Sequence, residues 1–160
     1  MSRIAAPLLL LVALAFPAWA ADYLRPIAQV PLLPLADGPH EDIDALVQDL
    51  WKPYYNTADE HAFGRDNLRV GRVDLDGDGK DELVLMIDAP GWNDVNGNTL
   101  VVAQWRNKHW FAIGLGWGDE DTVFTTNDIR QGWRTIETGT QLMRWVGREY
   151  KVEEKAASAE

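Results

Sequence analysis

The chain has no cysteine, and its only serines are Ser2 and Ser158, at the two ends. The first absence excludes disulfides, a thiolate nucleophile and a lipid-modified leader cysteine. The second leaves the body of the chain without a serine nucleophile, so the commonest covalent hydrolase designs are excluded. Basic charge is also scarce. Fifteen Lys and Arg face 25 Asp and Glu, for a net charge of −10. Nucleic acids and anionic lipids are bound largely by Lys and Arg that displace counterions, so this balance disfavours both. It suits divalent cations or a basic partner protein. Beyond Phe16 no apolar run approaches the roughly 20 residues that a membrane span needs.

The first 20 residues read as a cleaved signal peptide. Arg3 supplies the positive start, Ile4 to Phe16 the apolar stretch, and Ala18-Trp19-Ala20 the small-x-small cleavage pattern. A cut after Ala20 removes Arg3 and makes the net charge one unit more negative. The expectation is a periplasmic or secreted protein with no stable membrane anchor after cleavage.

Residues 21–39 contain Pro26, Pro31, Pro34 and Pro39 and read as an extended, largely irregular arm. A single domain over 40–152 follows. It opens with a helix whose apolar face is Ile43, Leu46, Val47, Leu50 and Trp51, at helical spacing. Asp37 or Gly38 would cap this helix, Pro39 would occupy its first turn, and Pro53 would end it. From Asn67 onward the texture is that of strands. Leu68–Val73 shifts its alternation at Gly71, as a bulge would. Leu83–Ile87 is a continuous apolar run suited to a central strand. Leu100–Trp105 and Trp110–Leu115 flank a hairpin turn, Trp133–Thr138 and Gln141–Val146 form a later pair, and Tyr150–Val152 is a last short strand. Residues 153–160 read as a disordered tail. The fold class is therefore mainly β: an antiparallel sheet, akin to a propeller blade, with one N-terminal amphipathic helix, or α+β by strict count.

The chemically informative segment is Asp74-Leu-Asp-Gly-Asp-Gly-Lys-Asp-Glu82. Carboxylates fall at loop positions one, three and five (Asp74, Asp76, Asp78). Lys80 at position seven offers a backbone carbonyl, and Glu82 stands at position nine. Calcium takes about six to eight oxygen ligands from such mixtures. Gly77 and Gly79 allow the chain to curl so that alternate side chains converge. Position 12 is Leu85, where an EF-hand needs a bidentate Glu, and both flanks are strand-like.

The segment from Asp74 to Val84 resembles the calcium loop of FG-GAP/VCBS-type repeats, which occur in integrin-like propellers and in many exported bacterial proteins. The resemblance covers about Val70 to Ile87. It implies calcium bound between two strands by Asp74, Asp76, Asp78, Glu82 and the Lys80 carbonyl, with Glu82 departing from the Asp usual there. A full propeller would need several more such loops. Asp94-Val-Asn-Gly-Asn98 is a weaker echo with one charge and reads as a turn.

Asp119-Glu120-Asp121 reads as a solvated loop, and His40, His61 and His109 lack metal-like spacing. Trp51, Trp105 and Trp145 are assigned to the core. Trp92 and Trp117 sit in Gly-rich stretches and, with Asn93, Asp94 and Asn96, are the candidates for a partner-binding surface in loops 90–98 and 116–122. The expected function is that of a non-enzymatic, calcium-stabilised exported β domain that binds a protein partner. The alternatives are a periplasmic inhibitor or immunity protein directed at a basic cell-wall-degrading hydrolase, and a carbohydrate-binding module.

Overall fold

In a computed structural model, residues 24–36 and 38–155 are described. The segment read as a signal peptide, Asp37 and the end of the segment read as a tail lie outside them. The elements in chain order are β1 (Pro26–Gln29), β2 (Leu33–Pro34), α1 (Glu41–Trp51), β3 (Leu68–Val73), β4 (Glu82–Ile87) and β5 (Asn93–Asp94). Then come β6 (Gly97–Arg106), β7 (His109–Gly118), β8 (Val123–Arg130), β9 (Trp133–Thr138), β10 (Gln141–Trp145) and β11 (Tyr150–Glu154). The fold is mainly β, as the strand patterns imply. One sheet has the order β1-β8-β9-β10-β11. The other runs β2-β3-β4-β6-β7, with β5 paired to the start of β6. Every pairing between these strands is antiparallel. The finer arrangement is two sheets in contact, with α1 as a third layer, where a propeller blade would be one sheet.

The unbroken apolar run of β4 has its cause in this layering. Leu83, Leu85 and Ile87 pack toward α1 with Ile43, Leu46 and Val47, while Val84 and Met86 pack into the core between the sheets. A strand covered on both faces has no use for alternation. Its neighbour β6 divides in the same way: Val101 and Ala103 lie on the helix side, and Leu100 and Val102 between the sheets. Asp42 of α1 accepts a hydrogen bond from the Trp110 indole N–H at 2.7 Å, which ties the start of the helix to β7. The helix begins at Glu41, two residues after Pro39, so Pro39 precedes its first turn. His40 is the N-cap and makes no side-chain cap, and the acids Glu41, Asp42 and Asp44 crowd the first turn.

Gly71 does not mark a bulge. β3 pairs with β4 in unbroken register from Leu68↔Ile87 to Val73↔Glu82. Glycine is there because the N-terminal arm crosses it: a Cβ would lie 2.8 Å from both the Pro31 carbonyl oxygen and Val30 Cγ1. The arm is thus ordered over its described length. β1 pairs with β8 and β2 with β3, so it spans one edge of each sheet, and Val30 and Leu32 are buried between them. At the other end, β11 runs to Glu154, two residues into the segment read as a tail. The Lys155 ammonium pairs with Glu137, which is itself buried.

Candidate metal centre

The acidic segment is the connection between β3 and β4. Val73 and Glu82 are the last paired residues, so residues 74–81 close the hairpin. Gly77 and Gly79 have φ of 76° and 84°, left-handed values that a side chain would resist. The aspartates fold the loop onto itself. Asp74 accepts from the Gly77 N–H at 2.7 Å and the Gly79 N–H at 3.0 Å. Asp76 accepts from the Asp78 N–H at 3.0 Å, and Asp78 from the Lys80 N–H at 2.8 Å. The alternate spacing therefore turns three acids inward, and a carboxylate oxygen from each lies within 4.8 Å of the others. At that separation two unit charges repel by about 3 kcal/mol for an effective dielectric near 20, less where solvent reaches them.

Glu82 is not one of those three. It is 2% exposed on the inter-sheet side of β4, and its Oε2 accepts the Leu75 N–H at 2.8 Å. Burial pushes its carboxyl up to about 7. The Leu75 hydrogen bond opposes that rise, and the negative charges of Asp76, Asp74 and Asp78 add to it. A buried acid below three converging acids is a local excess of negative charge that a cation would relieve. Tyr150 of the other sheet lies under the same field. Its hydroxyl titrates far above the ordinary range, through burial first and then through Glu82 and Asp76.

The loop is anchored to the second sheet through its one apolar residue. Leu75 is fully buried between the sheets, and its carbonyl accepts the Arg134 N–H at 2.8 Å. The Arg134 carbonyl accepts in turn from the Tyr150 hydroxyl at 2.8 Å. Gln104 on β6 donates to Asp76 Oδ2 at 3.2 Å and holds the middle acid in place. Sequence spacing identified the acids but not Gln104 or Arg134, since neither is near the loop in the chain. The donor set is all oxygen, with no imidazole or thiolate. That fits a hard cation and excludes the nitrogen and sulfur sites of zinc. Lys80 stands in the loop with its ammonium 3.5 Å from Asp78 Oδ2, leaving its carbonyl as the group of interest for a metal.

The other candidate residues fall elsewhere. Trp92 is half-buried in an aromatic cluster, with ring centroids 5.4, 5.6 and 4.6 Å from Trp51, Tyr54 and Phe63. Its indole N–H is committed to the His61 carbonyl at 2.8 Å. Trp92 thus contributes to packing while remaining partly exposed. Asn93 and Asp94 form β5, and Val95-Asn96 is the two-residue turn into β6, so this echo of the acidic loop is a hairpin turn. Asp94 accepts from the Asn96 N–H at 2.6 Å, and the Asn96 carboxamide oxygen accepts from Thr140 at 3.0 Å. Trp117 is not in a loop: β7 continues through Gly118 and pairs Trp117 with Thr99. Trp145 is buried and stacked on Trp133, whereas Trp105 is 45% exposed, contrary to its assignment to the core. In the loop 119–121, Glu120 forms an ion pair with Arg69, which also bonds Asp88 at 3.0 Å. No family model, curated protein or solved structure matches the chain.

Proposed function

We propose that this protein is an exported, non-enzymatic β domain that binds one calcium ion through Asp74, Asp76, Asp78, Glu82 and the Lys80 carbonyl. The observation that carries this reading is the burial of Glu82 beneath three converging aspartates. A site that only bends the chain has no need of a fourth acid in the core. Calcium is preferred to magnesium because the loop offers many carboxylates on a flexible glycine-hinged frame, whereas magnesium keeps most of its water. The ion is structural. It joins the β3–β4 connection, and through Leu75 the second sheet, into one unit. Export rests on the leader pattern, and the resemblance to FG-GAP/VCBS-type loops agrees with both export and calcium.

The same reading gives the domain a protein partner. The tip of the β5–β6 hairpin supports this, since Val95 is 97% exposed at its apex between Asp94 and Asn96. An apolar side chain held out on a tight turn suits insertion into a partner's cavity. Calorimetric titration of residues 21–160 with calcium tests the ion. Binding with one-to-one stoichiometry that is lost in Asp76→Ala supports the reading. No heat and no change in melting temperature at millimolar calcium would overturn it.

A further inference from the structure

The helix-facing row of β6 is Val101, Ala103 and Trp105, and it outruns the helix. α1 covers the first two, while Trp105 is the most exposed tryptophan of the described residues. It packs edge-on against Trp110, its cross-strand partner, with ring centroids 5.1 Å apart. A depression of about 330 Å³ lies here, with Trp105 and Trp110 as its apolar surface and Arg72, Lys80, Asp81 and Asp42 as its charged rim. That volume is within the range of small-ligand sites, about 300–1,000 Å³.

Two of the rim groups rest on Trp110. Arg72 lies with its guanidinium carbon 5.2 Å from the centre of the Trp110 ring and makes no ion pair among the described residues. Asp42 is fixed by the Trp110 indole N–H. The register that pairs Leu83 with Ala103 carries Asp81 alongside Trp105, and Asp81 has no hydrogen-bond partner among the described residues.

Two cations and two carboxylates around one aromatic surface discriminate among ligands. A ligand with net charge of either sign would meet two groups of its own sign. A neutral polyhydroxylated ligand has no such conflict, because each hydroxyl both donates and accepts. Its hydroxyls can accept from Arg72 and Lys80 and donate to Asp42 and Asp81. The C–H face of a pyranose ring matches the flat apolar surface that Trp105 leaves open. We propose that this depression is a binding site for a neutral saccharide, with Trp105 as the stacking platform. The site goes beyond the calcium reading and depends on it only through Lys80 and Asp81, whose positions the loop sets.

The test uses the full chain in calcium, titrated with cello-, chito- and malto-oligosaccharides and with an oligouronate as the charged control. Calorimetry and the indole N–H signals of the protein are the readouts. The expected result is binding of at least one neutral series with shifts at Trp105 and Trp110. Trp105→Ala should weaken it by about tenfold or more, the scale of losing one aromatic anchor. Trp105→Phe should keep part of the affinity, and Arg72→Ala should lower it. The inference is overturned if no neutral series binds the calcium-loaded protein, if Trp105→Ala binds as well as wild type, or if the oligouronate is preferred. Calcium titration of the same samples separates the two readings, because Trp105→Ala should leave ion binding unchanged.

Discussion

The carbonyl of Leu75 accepts the backbone N–H of Arg134 at 2.8 Å, so the acidic loop of one sheet is hydrogen-bonded to a strand of the other. The Leu75 side chain is buried at the same point. Leu75→Ala should therefore loosen the loop and the sheet contact together. The expected cost is about 3 kcal/mol, the range of buried leucine truncations with a residual cavity. Denaturant unfolding in calcium and in chelator should show that loss in both, with a weaker calcium affinity as well.

Calcium should raise the melting temperature by mass action on the folded state. At a free concentration 100 times the dissociation constant the gain is about 2.7 kcal/mol. Asp76→Ala should remove most of the response, since Asp76 is the middle acid of the cluster and is positioned by Gln104. Gln104→Ala should leave all the acids and reduce the affinity by a smaller factor. Equal effects of the two variants would show that the position of Asp76 matters as much as its charge.

Without the ion, stability should depend on pH in the direction set by Glu82. Its carboxyl is pushed up to about 7 in the fold from an ordinary 4.5. The fold thus prefers the protonated form, and this contribution is fully present below pH 4.5 and is lost as pH rises through about 7. In chelator the melting temperature should fall across that window, and Glu82→Gln should flatten the fall. Calcium should suppress the dependence in the wild type, because the ion favours the ionised acid. Thermal melts at several pH values with calcium and with chelator measure all of these effects.

The close passage of the arm over Gly71 predicts a selective lesion. Gly71→Val places methyl groups where Pro31 and Val30 now lie. It should cost about 1–3 kcal/mol by overpacking. Hydrogen exchange should rise first at β1 and β2, where the arm pairs, and leave β4 protected. A uniform rise over all strands would mean that the arm and the sheets unfold as one unit.

How much of this was legible in the sequence depended on where the determining contacts lie. The run Leu83–Ile87 announced a central strand because burial on both faces leaves a direct mark on composition. The helix was legible from one apolar face, and the three converging aspartates from their spacing. β8, Val123–Arg130, was not read as a strand at all. Its Thr125 and Thr126 are buried but polar, and their hydroxyls are satisfied by the carbonyls of Ala28 and Thr135. Neither partner can be inferred from local pattern. A register shift between Thr125 and Ile129 blurs the alternation further. Trp105 was misplaced for a related reason. Period two gives the face of the sheet on which it lies, but not where the helix covering that face begins. Gly71 looked like a bulge because its role belongs to residues 40 positions earlier in the chain.

The arm that bridges both sheets also bears on how the chain reaches this state. Gln29 is matched with Phe124, 95 residues further along the chain. During synthesis this arm must wait for a partner strand that is made much later. Distant pairings of this kind slow folding, because a long loop must close before any contact rewards it. The seam of the sandwich should accordingly set late, giving the nascent chain a prolonged open interval before it locks.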